Sequence, residues 1–335
     1  MESMLFQRLE EPAVSRIFVT PSGLTEMHEA DCVRWLGDQP NNSYEAVVTD
    51  PPYGMLEYTP AQMKKLRSGR GGVWRIPPSI GGHQRAPVPR FTVLDSRDIA
   101  GIYSFFREWG GVLMPKLVPG AHVFIATSPL FSHTVAQAMV DSGFEKRGEI
   151  VRLTQTLRGG DRPKNAEEEF SDVSAMPRSG WEPWLLFRKR CQGTVAENLR
   201  QWKTGGLRRR EGGPFLDVIL SSPTRPEERK LAPHPSLKPQ AFLRQIVRAA
   251  LPLGEGTILD PFAGSGSTMA ACEANGYRGV GVELDPNYVT LSMTAIPLLS
   301  QWTPPDSSSA LRPISARRSD RDKSRSPRAS ARQNA

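Results

Sequence analysis

The sequence contains little cysteine and no long apolar run, and these absences exclude several classes of protein. Its three cysteines, Cys32, Cys191 and Cys272, are scattered without CxxC spacing, so neither a disulfide framework nor a zinc site is indicated. The most apolar region, 111–131, is interrupted by charged residues, prolines and glycines, which argues against a membrane span. The first residues contain no apolar stretch typical of a signal peptide. Together these features predict a soluble protein of the cytosol.

Positive charge is concentrated in three segments of low regular-structure propensity. The net charge of the chain is +8, whereas residues 54–98, 188–230 and 303–335 have charge balances of +5, +6 and +5. The rest of the chain is therefore acidic. An acidic scaffold with three basic segments favours a polyanionic partner, since neutralisation of phosphates supplies most nonspecific affinity for nucleic acids.

Short apolar runs alternate with segments of helical spacing along most of the chain. Runs typical of strands occupy 44–49, 120–127, 256–259 and 279–283. Segments with helical spacing occupy 31–36, 98–118, 131–142, 239–251 and 267–274. A hairpin is predicted at 15–29, and an outer antiparallel pair is predicted from 149–155 and 183–187. This alternation predicts a mostly parallel sheet covered on both faces by helices.

A glycine-rich turn follows the strand at 256–259. Residues 260–268 read DPFAGSGST, in which Gly264 and Gly266 allow close backbone approach to a ligand at the start of a helix. The turn lacks the lysine of a P-loop, and Met269 stands where a dinucleotide fingerprint has its third glycine. Glu283 ends the next strand, where an acid can accept hydrogen bonds from both ribose hydroxyls. These residues predict a nucleoside cofactor without phosphates, S-adenosylmethionine.

The tetrapeptide Asp50-Pro51-Pro52-Tyr53 follows the strand at 44–49. Its two prolines fix a rigid, extended turn that projects the Asp50 carboxylate and the Tyr53 ring from the end of the strand. An exocyclic amine such as adenine N6 is a poor nucleophile, because its lone pair is delocalised into the ring. A carboxylate and a backbone carbonyl that accept its two N–H bonds would direct that lone pair toward a methyl sulfonium. An aromatic face would hold the base by stacking.

Three motifs, taken in their order along the chain, resemble those of a known family. The DPPY box, the HPSLKP segment at 234–239 and the DPFAGSGST turn are similar to motifs of the amino-methylating DNA methyltransferases of the β arrangement. In that arrangement the target-recognition region lies between the catalytic box and the cofactor motif. The resemblance covers roughly residues 24–295. It implies a Rossmann-like α/β fold with a seven-stranded, mostly parallel sheet that contains one antiparallel strand.

The resemblance also implies roles for individual residues. Asp50, Pro51, Pro52 and Tyr53 would hold and stack the base that carries the reacting amine. The cofactor-binding candidates are Asp31, Ser236, Lys238, Asp260, Phe262, Gly264, Gly266 and Glu283. Asp31 departs from the family pattern, because Ala30 stands where the family usually has glycine. No metal is expected, since the five histidines include no pair at metal-binding spacing. Methyl transfer would then depend on positioning and electrostatics.

Double-stranded DNA is the partner that the resemblance implies. The reacting nitrogen is inaccessible in a stacked duplex, so base flipping is expected, with residues 54–98 as a lid over the flipped nucleotide. The loop at 204–210 is predicted to contact DNA, whereas Trp181-Glu182-Pro183-Trp184 is interpreted as core packing. The DNA-binding candidates are Arg158, Arg162, Lys164, Arg208, Arg209 and Arg210. The predicted organisation is a catalytic part at 15–155, a target-recognition region at 156–232, a cofactor-binding part at 233–302 and a disordered basic tail at 303–335.

Several alternatives stay open at this point. Adenine N6 is favoured over cytosine N4, because a serine in place of Asp50 would have favoured cytosine, but both amines are held in the same way. Methylation at cytosine C5 finds no candidate nucleophile, because Asp31, Arg190 and Ala271 precede the three cysteines where a proline is typical. A catalytically inactive DNA-binding protein on the same fold is the alternative of a different class. The sequence leaves open whether the protein acts as a monomer or as a homodimer.

Overall fold

Strands and helices alternate along the chain, as the apolar pattern predicts. The computed structural model describes residues 17–52, 79–80, 83–84, 96–154, 162–163, 165–177, 179–234 and 236–304. The strands are β1 (Ile17–Val19), β2 (Thr25–Glu29), β3 (Tyr44–Thr49), β4 (Ser79–Ile80), β5 (His83–Gln84), β6 (Leu117–Ala126), β7 (Glu145–Leu153), β8 (Trp181–Arg188), β9 (Val218–Leu220), β10 (Thr257–Asp260) and β11 (Arg278–Glu283). The helices are α1 (Cys32–Asp38), α2 (Ser96–Lys116), α3 (Ser132–Asp141), α4 (Val195–Trp202), α5 (Pro226–Leu231), α6 (Gln240–Ala250), α7 (Ser267–Asn275) and α8 (Pro286–Gln301).

The main sheet has nine strands among the described residues, not the seven that the resemblance implies. Their order is β1-β2-β11-β10-β3-β6-β8-β7-β9, while β4 and β5 pair only with each other. The seven inner strands contain the single antiparallel strand, β8, which lies between β6 and β7. The difference lies at the edges, where the three-residue strands β1 and β9 each add to an otherwise open row of backbone donors and acceptors.

Helices cover both faces of the sheet. Alternate side chains of β3 belong to different cores: Ala46 and Val48 pack on the face covered by α6, α7 and α8. Val47 packs on the face covered by α1, α2 and α3. This two-sided burial follows from the period of two along a strand and explains why the predicted strands read as continuous apolar runs.

The predicted target-recognition region at 156–232 shares the core of the catalytic part. Strand β8 lies inside this region, yet it is hydrogen-bonded to β6 on one side and β7 on the other. Its Trp184 is buried against Phe242 of α6, with ring centroids 5.2 Å apart. The interpretation of Trp184 as core packing is therefore confirmed, and the segment around β8 is not a separate unit.

Six elements were not predicted from the sequence: α4, α5, α8, β4, β5 and β9. Helix α4 did carry a signal, because Thr194 and Glu197 form a capping box at its start. Among the residues that the structure describes, no helix has the length and apolar character needed to cross a membrane.

Candidate active site

Two predicted motifs meet at one edge of the sheet. Strands β3, β10 and β11 are parallel neighbours, so their carboxyl ends lie side by side. Asp50 follows β3, Asp260 ends β10 and Glu283 ends β11. The fold thereby brings together the acid of the DPPY box and the glycine turn, which lie more than 200 residues apart in the sequence.

Asp260 joins the end of β3 to the glycine turn. Its Oδ1 accepts a hydrogen bond from the Thr49 hydroxyl at 2.7 Å and another from the Phe262 amide at 3.2 Å. Burial raises the pKa of Asp260 to about 6, although the hydrogen bonds from Thr268, Thr49 and the Phe262 amide oppose this effect. Because Thr49 directly precedes Asp50, this buried carboxyl group sets the position of Asp50 relative to the turn.

The two glycines of the turn are required by packing within the protein. Gly264 has a φ of +53°, and a Cβ there would lie 3.1 Å from Nε2 of His234. Gly266 has a φ of +85°, and a Cβ there would lie 2.5 Å from Cγ1 of Ile296 on α8. The left-handed backbone and the close neighbours both demand glycine. Contact of these glycines with a cofactor stays a prediction.

Glu283 is held by backbone groups at the edge of the turn. Its Oε2 accepts from the Gly264 amide and its Oε1 from the Asp285 amide, each at 2.8 Å. Burial raises the pKa of Glu283, although these backbone hydrogen bonds oppose the shift. A carboxylate has about four lone-pair sites, so acceptor capacity remains for a ribose hydroxyl.

Lys238 lies at Asp50, the candidate catalytic acid. Its ammonium group pairs with Asp50 and lies 3.3 Å from Oε1 of Glu182, the second residue of β8. Glu182 also pairs with Arg152 of β7 at 2.7 Å. Lys238 is one of the cofactor-binding candidates, and the structure shows it in contact with two carboxylates. Its role in cofactor binding stays a prediction. Sequence reasoning missed Glu182 and Arg152, because nothing in the local pattern shows which charges will meet.

His234, the first residue of the HPSLKP segment, lies beside the glycine turn. Its Nδ1 accepts from the Ser236 amide at 3.2 Å, and its ring meets that of Tyr288 edge-on at 4.4 Å. Burial, with the nearby Lys238 charge, lowers the pKa of His234 to about 4. The ring is therefore neutral near pH 7 and carries its proton on Nε2, the atom that faces Gly264.

Of three further cofactor candidates, Asp31 and Phe262 have structural contacts of their own. Asp31 caps α1, since its Oδ1 accepts from the amides of Val33 and Arg34. Phe262 packs with α2, its ring centroid 5.7 Å from that of Trp109. Ser236 is exposed. These contacts explain the residues without a ligand, so their roles in cofactor binding stay predictions.

The arginines at 208–210 lie away from this edge. The Arg208 amide donates to the Ala249 carbonyl at 3.0 Å, and its guanidinium donates to the Tyr277 hydroxyl. Tyr277 directly precedes β11, so this loop lies at the amino ends of the parallel strands, opposite Glu283. The structure therefore does not bring Arg208, Arg209 and Arg210 together with Asp50, and their contact with DNA stays a prediction.

The remaining predicted residues either have a known exposure or lie outside the described residues. Arg162 is exposed. Tyr53, Arg158, Lys164, most of the predicted lid and nearly all of the basic tail lie outside the described residues. Pro51 is buried and Pro52 is exposed beside Asp50.

The described residues contain no metal centre, and two of the three cysteines are poorly suited to act as nucleophiles. No group of three or more His, Cys, Asp or Glu residues in the described ranges could hold a metal ion. Cys32 and Cys272 are buried, and burial raises the pKa of both thiols, which disfavours the thiolate.

The comparison with known protein families decides the class of the protein. Residues 44–294 match the N6/N4 methyltransferase family, described as DNA methylase. The chain belongs to this family. It is an enzyme that methylates exocyclic amino groups of DNA bases, and its cofactor is S-adenosylmethionine. The turn fits this cofactor, because the buried Ser265 hydroxyl has no hydrogen-bond partner among the described residues and is available to a ligand.

Individual relatives agree with this assignment. The chain is 33% identical over 265 residues to the type II methyltransferase M2.DpnII of Streptococcus pneumoniae, covering 78% of this chain and 86% of the relative. It is 34% identical over 70 residues to the DNA adenine methyltransferase YhdJ of Escherichia coli strain K12. That match covers 21% of this chain and 24% of the relative. The structure of the cytosine-N4-specific PvuII DNA methyltransferase superposes on this chain with a TM-score of 0.54 at 14% identity. The superposition covers 87% of this chain and 90% of the PvuII chain. That last likeness shows a shared fold.

Proposed function

We propose that this enzyme methylates N6 of adenine in double-stranded DNA and that Asp50 holds the target amine. The observation that carries the proposal is the position of Asp50. Its side chain is only 18% exposed and lies at the carboxyl end of β3, tied to the glycine turn through Thr49 and Asp260. A carboxylate there can accept an N–H bond from an amine beside the cofactor.

The residues of the chain would act by orientation. When bound, S-adenosylmethionine supplies a methyl group, to which the amine lone pair forms an N–C bond as the C–S bond breaks and its electron pair stays on sulfur. Asp50 accepts an N–H hydrogen bond, which directs the lone pair at the methyl carbon and then gives the released proton a destination. Tyr53 would stack on the flipped base. Glu283 would hold the ribose hydroxyls.

The choice of adenine is supported by the first residue of the DPPY box. Aspartate stands there, where a serine would favour cytosine. YhdJ, which shares 34% identity with this chain over 70 residues, is named as a DNA adenine methyltransferase. DNA as the partner is consistent with the three basic segments of the sequence, which would neutralise phosphates.

The test is expression in a host that lacks DNA methylation, followed by sequencing that detects modified bases. The wild-type chain is expected to deposit N6-methyladenine at a defined sequence. Asp50→Ala removes the acceptor of the amine and should reduce methylation by roughly 100-fold or more. Asp38→Ala, at an exposed aspartate on α1, is the matched control and should leave methylation unchanged.

Two results would contradict the proposal in different ways. N4-methylcytosine in place of N6-methyladenine would overturn the choice of base and leave Asp50 as the amine-holding residue. Equal modification by the wild type and by Asp50→Ala would overturn the role of Asp50.

A further inference from the structure

Lys238 is shared between two carboxylates, of which only one belongs to the DPPY box. The side chain of Lys238 is 11% exposed, and its ammonium pairs with Asp50 while lying 3.3 Å from Oε1 of Glu182. Strand β8 is antiparallel, so its first residues lie at the same edge as the carboxyl end of β3. Topology thus places Glu182 beside the catalytic acid.

Glu182 is itself held in place. Oε2 of Glu182 accepts from Nη1 of Arg152 at 2.7 Å. Arg152 in turn donates to the Ser221 hydroxyl at 3.0 Å and the Ser222 carbonyl at 3.1 Å, immediately after β9. Its guanidinium lies 5.2 Å from the ring centroid of Phe242, and its side chain is 7% exposed. Glu182 therefore has little freedom to move, and its position is set by the end of the sheet next to β9.

The four charged groups form a balanced cluster. Asp50 and Glu182 are acids, and Lys238 and Arg152 are bases, so the cluster is neutral when all four are ionised. Burial by itself would lower the pKa of Lys238, but the two carboxylates outweigh it and raise that pKa. Burial would raise the pKa of Glu182, but Lys238 and Arg152 outweigh it and lower that pKa. A buried charge that loses its partner is strongly destabilising, so each cation needs an anion throughout the reaction.

Building on the proposed function, we propose that Glu182 is a positioning residue that keeps Lys238 paired while Asp50 engages the target amine. As the amine forms its bond to the methyl carbon and the C–S bond breaks, the nitrogen becomes cationic. It passes one N–H proton to Asp50, which becomes a neutral acid. Lys238 then loses the charge of its first partner and keeps Glu182 as its anion. Arg152 holds Glu182 at the distance at which it can take this role.

The same pair of strands offers a matched control. Directly opposite residues of β7 and β8 form two Arg–Glu pairs, Arg152 with Glu182 and Arg188 with Glu145. The second pair has the same 2.7 Å separation but lies at the opposite end of the strands. Glu145→Gln therefore removes an equivalent cross-strand ion pair without touching Lys238.

The experiment compares Glu182→Gln, Glu182→Asp and Glu145→Gln with the wild-type chain. The single-turnover rate of methyl transfer, the Kd for S-adenosylmethionine, the Kd for target DNA and the Tm are measured for each. We expect Glu182→Gln to slow methyl transfer roughly 10- to 100-fold, with both Kd values within about threefold of wild type. Glu182→Asp keeps the charge on a shorter stem and should give an intermediate rate. Glu145→Gln should keep the wild-type rate.

A pH profile separates this role from a purely structural one. The charged and titratable groups around Lys238 are Asp50, Glu182, Arg152 and His234. Removing the Glu182 charge takes away one of the two carboxylates that stabilise the ammonium. The alkaline limb of the rate profile should therefore move to lower pH in Glu182→Gln and stay in place in Glu145→Gln.

The inference is overturned if Glu182→Gln and Glu145→Gln change the rate of methyl transfer equally. It is also overturned if the loss of rate in Glu182→Gln is fully accounted for by weaker cofactor binding and a lower Tm. Absence of methyl transfer by the wild-type chain would overturn the proposed function and this inference together. A wild-type rate in Glu182→Gln would overturn this inference alone.

Discussion

At the scale of single residues, Asp260 shows how a motif residue is used for more than ligand binding. Its carboxyl group is almost fully buried, and it ties Thr49 to the glycine turn. Burial raises its pKa to about 6, against hydrogen bonds that favour the charged form. At neutral pH the buried Asp260 carboxylate is therefore destabilising, and the hydrogen bonds that it accepts hold Thr49 and the glycine turn together.

This shift predicts a pH dependence of stability. Because the folded pKa of Asp260 lies above that of the unfolded chain, its favourable contribution is present below about pH 4 and is lost as pH rises through about 6. Asp260→Asn cannot ionise and still offers an oxygen to Thr49. The free energy of unfolding of the wild type minus that of Asp260→Asn should therefore fall by about 2 kcal/mol between pH 4 and pH 7.5.

Urea denaturation of both proteins without cofactor measures this difference. Asp217→Asn, at an exposed aspartate, serves as the control and should show no comparable change. A difference between wild type and Asp260→Asn that does not vary with pH would refute the assignment of the shift to this residue.

At the scale of elements, the two ends of helix α7 show two different reasons for a glycine. Gly266 caps the start of α7 and Gly276 caps its end, both with positive φ. A Cβ at Gly266 would meet Ile296 of α8 at 2.5 Å, whereas a Cβ at Gly276 would meet nothing within 4 Å. The two positions therefore share backbone strain and differ in packing.

Substitution of each glycine by alanine separates these causes. Gly276→Ala should lower the free energy of unfolding by about 1–2 kcal/mol through backbone strain alone. Gly266→Ala should cost about 1–3 kcal/mol more, because the methyl group overpacks against Ile296. Chemical denaturation measures both values. Equal losses of free energy for the two variants would show that contact with α8 does not restrict Gly266. The double variant Gly266→Ala/Ile296→Ala should lose less free energy of unfolding than the sum of the two single changes.

At the scale of the whole molecule, charge and chemistry are separated along the chain. The candidate site residues Asp50, Asp260 and Glu283 lie at the carboxyl edge of the sheet, and the tail at 303–335 carries a charge balance of +5. Such a tail can attract DNA through its phosphates without reading its sequence. The tail follows α8, which ends at Gln301.

Truncation after Pro304 should therefore weaken nonspecific DNA binding roughly tenfold at low salt, with little effect at high salt. The recognised sequence should not change. Binding assays over a range of salt concentrations and sequencing of modified DNA measure the two properties. A full-length chain in which the tail arginines and lysine are replaced by glutamine should bind nonspecific DNA as weakly as the truncated chain. A changed recognition sequence in either variant would contradict the prediction.

Local sequence patterns predicted most of the alternating strands and helices. The buried strands, the glycine turn and most helices were confirmed, because apolar period and turn chemistry depend on near neighbours in the sequence. The edge strands β1 and β9 raised the strand number to nine, since a three-residue strand exists only beside a partner. The amide donors to Glu283 and the packing of Phe262 on Trp109 could not be predicted, because they depend on how distant elements dock.

The sequence by itself determined the class of the enzyme, through the order of the DPPY box, the HPSLKP segment and the glycine turn. Those motifs carry their chemistry in short stretches of backbone and side chain. Only the tertiary structure decided which charges meet. Lys238 pairs with an acid 188 residues away, and Glu182 reaches it because β8 runs antiparallel beside β6. The same structure placed Arg208 at the opposite edge of the sheet, since electrostatic partners are set by distance in space and not along the chain.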